Sequence, residues 1–341
     1  MKKVLLFFVY FIPFHFLFGQ QITGTIQDEN QQPFDGVTIY FDGTTIGTTT
    51  DADGFFQLNG NNLNNSVLVI SYMGYETLYL NTFQSPLFIQ LTPSAIALKE
   101  VVVGPQPFTR KEMLDVFKKQ FLGMTKAGKS CKILNEEVIQ LWYDTPKLQL
   151  QGSASEKIKI VNHFLGYEIE VDLVEFFVQY NKRTLSIDYQ RNSYFAVSSF
   201  FKEMEVGAKT YDKNREKVYK GSSKHLFKNA IEKKWNKKEF TLFDGSFATN
   251  ADLHFEISEE LSMKKIKIKP KQEVKSSNLK TPFFRSFNLL YNNSDQSKVI
   301  FRTDEFFVDE FGNHSHIDQI EFSGVIAEKR FGDMLPLNYV P

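Results

Sequence analysis

Residues 21–60 read QITGTIQDENQQPFDGVTIYFDGTTIGTTTDADGFFQLNG, and this stretch decides the fold. Short runs of β-branched and aromatic residues are bounded by Gly, Asn, Asp and Pro, the pattern of strands joined by tight turns. Strands are predicted at Ile22 to Ile26, Val37 to Phe41, Thr44 to Thr50 and Gly54 to Leu58. Three more follow at Val67 to Tyr72, Thr77 to Leu80 and Leu87 to Leu91, and seven strands in this length predict a β-sandwich. The alternation of Val37, Ile39 and Phe41 and the run Val67 to Ile70 supply inner faces. Asp51-Ala52-Asp53-Gly54 reads as a hairpin turn in which the glycine is free to take positive φ.

Upstream, Lys2 and Lys3 precede an apolar run from Val4 to Phe18 that ends at Gly19. This is the layout of a cleavable signal peptide over residues 1–20. The run is short for a membrane span and Pro13 interrupts it, so an anchoring helix is the weaker reading. No cysteine follows for a lipid anchor, and no later segment promises a transmembrane helix. The expected address is the periplasm, the outer membrane or the outside of the cell. Forty basic residues balance forty acidic ones, which argues against a nucleic-acid partner. Cys131 is the single cysteine, so no intramolecular disulfide is available and stability must come from packed cores.

The order ITGTI, PFDGVTIYFDGTTIGTTTDADGFFQL, LVISYMGYET and FIQLTPSAIALKEVVV resembles the carboxypeptidase-like regulatory domain of exported Bacteroidetes proteins. The resemblance covers residues 21–103 and implies a transthyretin-like (prealbumin-like) sandwich. Such domains are appendages of zinc carboxypeptidases and extensions of TonB-dependent outer-membrane receptors, so the resemblance implies no peptidase activity.

A linker is predicted over residues 104–109, and from 110 to 341 a larger antiparallel β-rich domain with two or three helices, near 110–122 and 212–235. Thr109 with Glu112 three residues on is a capping box, Met113, Phe117 and Phe121 share one helical face, and Gly123 ends the helix. Ser222 is a second cap, before a stripe of Phe227, Ile231 and Trp235. Tyr167, Ile169, Val171 and Leu173 alternate with Glu168, Glu170 and Asp172, which predicts an antiparallel strand with one wet face. Thr184 to Tyr189 and Tyr194 to Phe201 read as strands, and the Lys/Ile alternation of Lys265 to Lys269 reads as a protected edge strand. FLGMTKAGKSCKILNEEVI, VYKGSSKHLFKNAI and FGDMLPLNYVP resemble the body of an uncharacterised Bacteroidetes family, which implies architecture and address only.

Catalytic signatures are missing. A zinc carboxypeptidase needs His and Glu three apart plus a distant His, and no His of the body has Glu at that spacing. His254-Phe255-Glu256 looks like the start of a deaminase motif but lacks the paired cysteine ligands. The nearest metal set is His314, His316 and Asp318, with Glu310 nearby, since alternate residues of a strand point the same way and could share a divalent cation. The plainer reading is a solvated turn around Gly312 and Asn313, and no cofactor is otherwise predicted. Asp42, Asp51 and Asp53 resemble half a calcium loop without its bidentate Glu, and Ser222, Ser223 and His225 sit where serine caps a helix.

The expected function is that of a non-catalytic envelope protein. Its sandwich docks, and its larger domain engages a protein or glycan partner, with TonB-dependent receptor components among the expected partners. The alternative is an exported glycan or peptide hydrolase whose site is assembled in the larger domain, for example from carboxylates among Glu168, Glu170, Asp172 and Glu175.

Overall fold

A computed structural model describes residues 21–60, 66–94, 105–260, 263–270 and 283–341. The predicted signal peptide and the lysine-rich residues 271–280 lie outside the described residues. The chain is mainly β and divides into two units, the first made of the chain up to Phe41 with Ile46–Ala95, the second of Asp42–Thr45 with Ile96–Pro341.

All seven predicted strands of the first unit form: β1 (Gln21–Gln27), β2 (Thr38–Phe41), β3 (Gly47–Thr49), β4 (Phe55–Asn59), β5 (Leu68–Ser71), β6 (Leu78–Leu80) and β7 (Leu87–Gln90). They make two sheets, ordered β4-β1-β7 and β3-β2-β5-β6, with β1 and β7 parallel and the other pairs antiparallel. Ile22, Ile26, Val37, Ile39, Phe41, Phe56, Leu58, Leu68 and Ile70 fill the space between them. The turn at Asp51 differs from its prediction. β3 pairs with β2 and β4 with β1, so the turn is an arch from one sheet to the other and not a hairpin. Asp51 Oδ1 accepts from the N–H groups of Asp53 (3.0 Å) and Phe55 (2.9 Å), and Gly54 sits at φ 70°.

In the second unit α1 (Arg110–Phe121) starts as the sequence predicts. Thr109 Oγ1 accepts from the Glu112 N–H at 3.3 Å, and Glu112 Oε2 accepts in return from the Thr109 N–H at 2.8 Å. Met113, Phe117 and Phe121 are buried, each such side chain stabilising by about 1.5–3 kcal/mol relative to exposure, and Gly123 takes φ 92° beyond the helix end. α1 packs on a six-stranded antiparallel sheet of β8 (Cys131–Ile133), β9 (Ile139–Asp144), β10 (Gln149–Ala154), β11 (Ile158–Asn162), β12 (Tyr167–Tyr180) and β13 (Gln190–Glu203). A single-turn helix, α2 (Lys126–Lys129), joins α1 to β8.

β12 is the spine of that sheet. β13 pairs along its whole length on one side, while β11 and β10 share the other. The pairing with β13 skips Val174, a β-bulge that reverses which residues face the core: Tyr167, Ile169, Val171 and Leu173 before it, Phe176, Val178 and Tyr180 after it. The strand predicted at Thr184 to Tyr189 is not one. Ser186 caps a 3-10 turn over Ile187–Tyr189, whose last carbonyl accepts from the Asn181 N–H, and β13 begins only at Gln190.

The remaining elements are α3 (Lys209–Tyr219), α4 (Ser223–Ile231), β14 (Phe240–Asp244), β15 (Phe247–Ala248), β16 (Phe255–Glu260), β17 (Met263–Ile268), β18 (Arg285–Tyr291), β19 (Asp295–Phe301), β20 (Glu305–Val308), β21 (Ile320–Gly324) and α5 (Val325–Glu328). The sheets β15-β14-β18-β19-β21 and β16-β17-β20 enclose a second core with Leu226, Phe227 and Ala230 of α4. β17, predicted as an edge, is the middle strand of its sheet. Its lysines face acidic neighbours across the pairing, Lys264 to Glu259 at 2.9 Å and Lys265 to Glu305 at 3.0 Å, so the alternation marks cross-strand ion pairs.

Candidate functional site

The set around His314 is not an extended strand. His314 is packed against Phe227 (ring centroids 4.6 Å), and burial pushes its imidazole down to about 4. His316 adopts left-handed backbone at φ 56° and its Nδ1 lies 2.7 Å from Ser315 Oγ, while Asp318 sits in a 3-10 turn. The common orientation of alternate residues needs continuous extended backbone, which His316 breaks. Among the described residues no three His, Cys, Asp or Glu side chains are placed to hold a metal ion.

The calcium-like aspartates are used locally. Asp51 organises its turn, and Asp42 Oδ1 accepts from the Ser199 N–H at 2.7 Å within the second unit, where burial raises its carboxyl above the ordinary range.

The two histidines that the sequence sets apart from catalysis, His225 and His254, have both ring nitrogens engaged. His225 Nδ1 accepts from the Gly221 N–H (3.1 Å), which leaves the proton on Nε2, 2.9 Å from Glu239 Oε2. Ser222 Oγ accepts from the His225 N–H, the helix-cap role. In the other, Arg285 Nη2 donates to His254 Nδ1 at 2.9 Å, because a guanidinium has only donors. Nε2 therefore carries the proton and donates to Thr249 Oγ1 at 2.8 Å. A histidine protonated on the side facing a hydroxyl is no base for that hydroxyl. Burial first, and Arg285 second, lower the His254 imidazole.

Glu168, Glu170 and Asp172 project from the face of β12 opposite the core. Lys202 lies 3.3 Å from Glu170, and Lys157, lowered by burial, is held up in turn by Glu170 and Asp172. Glu170 and Asp172 thus have cations beside them, an arrangement unlike a pair of free acid and base carboxylates. Glu175, beyond the bulge, is exposed.

Sequence reading passed over Gly123-Met124-Thr125-Lys126-Ala127-Gly128-Lys129-Ser130, which has the G-x-x-x-x-G-K-S spacing of a phosphate-binding loop. The structure gives it another role. The string follows a helix and leads into a strand, the reverse of a phosphate loop, and the Gly128 N–H is taken by Thr125 Oγ1 at 3.0 Å. Gly128 and Gly332 meet so closely that a Cβ on Gly332 would stand 2.5 Å from the Gly128 Cα. Beside this contact Asp333 accepts from Thr125 Oγ1 at 2.8 Å, its carboxyl raised by burial.

Two lysines fasten the last residues from inside the fold. Lys224 Nζ donates to the carbonyls of Pro336 (2.9 Å) and Leu337 (2.8 Å), with burial pushing it down to about 7. Lys329 donates to the Val218 and Lys220 carbonyls at the end of α3 and is lowered to about 8. Lys224 stands in a lysine-dense stretch and Lys329 beside Arg330, and neither position gave a sign of burial in the sequence.

On the first unit, Thr25 of β1 is in register with Phe55 of β4 on one side and Phe88 of β7 on the other. Phe88 is 79% exposed and Phe55 41%, so two phenyl groups flank a threonine across the outer face of the small sheet.

Residues 22–103 match the family described as CarboxypepD_reg-like domain. The chain is 33% identical over 98 residues to the TonB-dependent receptor SusC of Bacteroides thetaiotaomicron, a match covering 28% of this chain and 10% of the receptor. The chain thus spans about a tenth of the curated relative it matches. Among solved structures, two type II cohesin–X-dockerin complexes of Acetivibrio cellulolyticus, an N-terminal and a C-terminal interface mutant, are similar. They are 17% and 16% identical, cover 32% of this chain and 79% and 80% of theirs, and have TM-scores of 0.21 and 0.20, which carry no argument. The first unit of this chain is a β-sandwich carrying a CarboxypepD_reg-like domain of Bacteroidetes type.

Proposed function

We propose that the protein is a non-catalytic component of the bacterial envelope, exported to the periplasm or outer membrane, whose sandwich docks on a component of a TonB-dependent transport system. The observation that carries the reading is the CarboxypepD_reg-like domain shared with a TonB-dependent receptor. The outer face with Phe55 and Phe88 is the surface we assign to docking, because exposed apolar side chains on a flat sheet gain most when a partner covers them. The engaged nitrogens of His225 and His254 and the Glu170–Lys202 ion pair on β12 support a binding role over hydrolysis. Among the described residues no helix is long and apolar enough to cross a membrane.

The test is co-purification of the tagged full chain from envelope fractions of its source cell, with the captured proteins identified by mass spectrometry. A TonB-dependent receptor, or a protein that assembles with one, is expected, and a Phe55→Ser/Phe88→Ser double variant is expected to lose it. Absence of any such protein, or its undiminished capture by the double variant, would overturn the proposal.

A further inference from the structure

Past the Val174 bulge, the face of the six-stranded sheet turned away from its core differs in composition from the acidic stretch of β12 before it. Strand alternation sends Ile139, Leu141 and Tyr143 of β9 to the core and Trp142 to the other side. β10 buries Leu150 and turns Gln149 and Gln151 outward, and β13 packs a half-buried Phe195 against the core and turns Tyr194 outward. In β12 the bulge at Val174 decides the matter. It places Phe176 in the core and Phe177 outside, where an unbroken alternation would do the reverse.

Register then aligns these residues. Trp142 stands opposite Gln151, Gln151 opposite Phe177, and Phe177 opposite Tyr194, a single row across four strands. The Phe177 and Tyr194 rings lie 5.6 Å apart at 30°, and Trp142 is two strand spacings, about 9.5 Å, from Phe177. Tyr194 is 40% exposed, and Trp142 and Phe177 are half-buried by their sheet neighbours.

The row beside it, by the same register, sets Asp144 opposite Gln149, Gln149 opposite Gln179 and Gln179 opposite Asn192, with Lys147 Nζ 3.3 Å from Asp144 at its end. Gln151 Nε2 donates to Gln149 Oε1 at 2.7 Å, and Gln179 Nε2 donates to the Lys147 carbonyl at 2.6 Å. Those bonds fix the side chains and leave the Gln149 amide nitrogen and the Gln151 and Gln179 amide oxygens for an incoming ligand. The aromatic row carries no charged side chain, and the one carboxylate of the amide row, Asp144, is paired with Lys147, so these two rows hold no unpaired cation for a phosphate or a sulfated chain.

We infer that this face binds an uncharged polysaccharide, with sugar rings stacked on Trp142, Phe177 and Tyr194 and their hydroxyls bonded to Gln149, Gln151 and Gln179. Flat aromatic rings suit the apolar C–H faces of a sugar, and an amide matches a hydroxyl because each is both donor and acceptor. The electrical neutrality of the row is the complement of a neutral chain, and three rings along one line fit an extended ligand. The inference is independent of the docking assigned to the first unit.

The test is native affinity electrophoresis of the full chain in gels containing glycogen, galactomannan or xyloglucan, with polygalacturonate as the charged counterpart. Retardation by at least one neutral polysaccharide is expected, and it should persist in high salt because no ion pair is involved. Trp142→Ala and Tyr194→Ala should each weaken binding roughly tenfold, the loss of one stacked ring. Both rings lie off the core, and unchanged circular dichroism and melting will show that the variants fold. The chain has two tryptophans, so in a Trp235→Phe background the fluorescence of Trp142 reports the ligand directly. Failure of all three neutral polysaccharides to retard the chain or change that fluorescence would overturn the inference. Retardation by polygalacturonate alone, or retardation untouched by both ring variants, would overturn it equally.

Discussion

Asn162→Ala tests the most concentrated polar contact of the second unit. Asn162 is fully buried at the end of β11, and its side chain serves three backbone groups. Nδ2 donates to the Gly332 carbonyl at 2.8 Å, while Oδ1 accepts from the N–H groups of Phe164 (3.1 Å) and Leu165 (3.0 Å). Truncation strands all three where water has little access. At about 1–3 kcal/mol for each unsatisfied group, with some relaxation, the loss is on the order of 4 kcal/mol. For a unit of this size that lowers the thermal midpoint by roughly 8–16 °C.

Asn162→Asp separates donor from acceptor. It keeps both bonds to Oδ1 and, when ionised, sets a carboxylate against the Gly332 carbonyl. A carboxyl disfavoured as the anion in the folded state has its pKa raised there, so the folded protein binds more protons and stability rises as pH falls. The aspartate variant should therefore recover part of its loss in mild acid, and the alanine variant should not. Differential scanning calorimetry of the three proteins across that range is the assay. A melt of Asn162→Ala within a degree or two of the parent would refute the reasoning, because no large penalty would then attach to those three groups.

Three further outcomes are expected. Gly54→Ala forces a side chain into left-handed backbone and against the Ile26 carbonyl, and should destabilise the sandwich by roughly 2 kcal/mol or more, read from urea melts. His314, held at about 4 in the fold against an ordinary ~6.5, is protonated first in the unfolded chain; its contribution is full above that ordinary value and is lost as pH falls toward 4. His314→Phe should flatten the acid limb of the stability profile, and an unchanged limb would count against burial at that site. Zinc titrated into the protein should give no heat at micromolar concentration, given the left-handed turn at His316; binding abolished by His316→Ala would reverse that expectation.

Much of the fold is legible in the sequence wherever nearest neighbours decide. The capping box of Thr109 and Glu112, the cap at Ser222, the positive φ of Gly54 and Gly123 and the seven short strands of the sandwich all follow from chemistry within one turn of chain. Readings that depended on partners fared differently. β17 looked like an edge because its lysines alternate, but Glu259 and Glu305 come from neighbouring strands and make it central. The partners that engage the ring nitrogens of His225 and His254 were placed by folding, and Lys224 and Lys329 could not be told from solvated lysines until their carbonyl partners were in view.

Residues 176 and 177 state the division most plainly. The sequence by itself determined that two adjacent phenylalanines stand in a strand, and therefore that they point to opposite faces. Which one enters the core was decided by the bulge at Val174, and with it whether Phe177 joins Trp142 and Tyr194 in one row. Alternation is a local property of extended backbone, but its phase is set by hydrogen-bond register with distant strands, and that register exists only once the tertiary structure has formed.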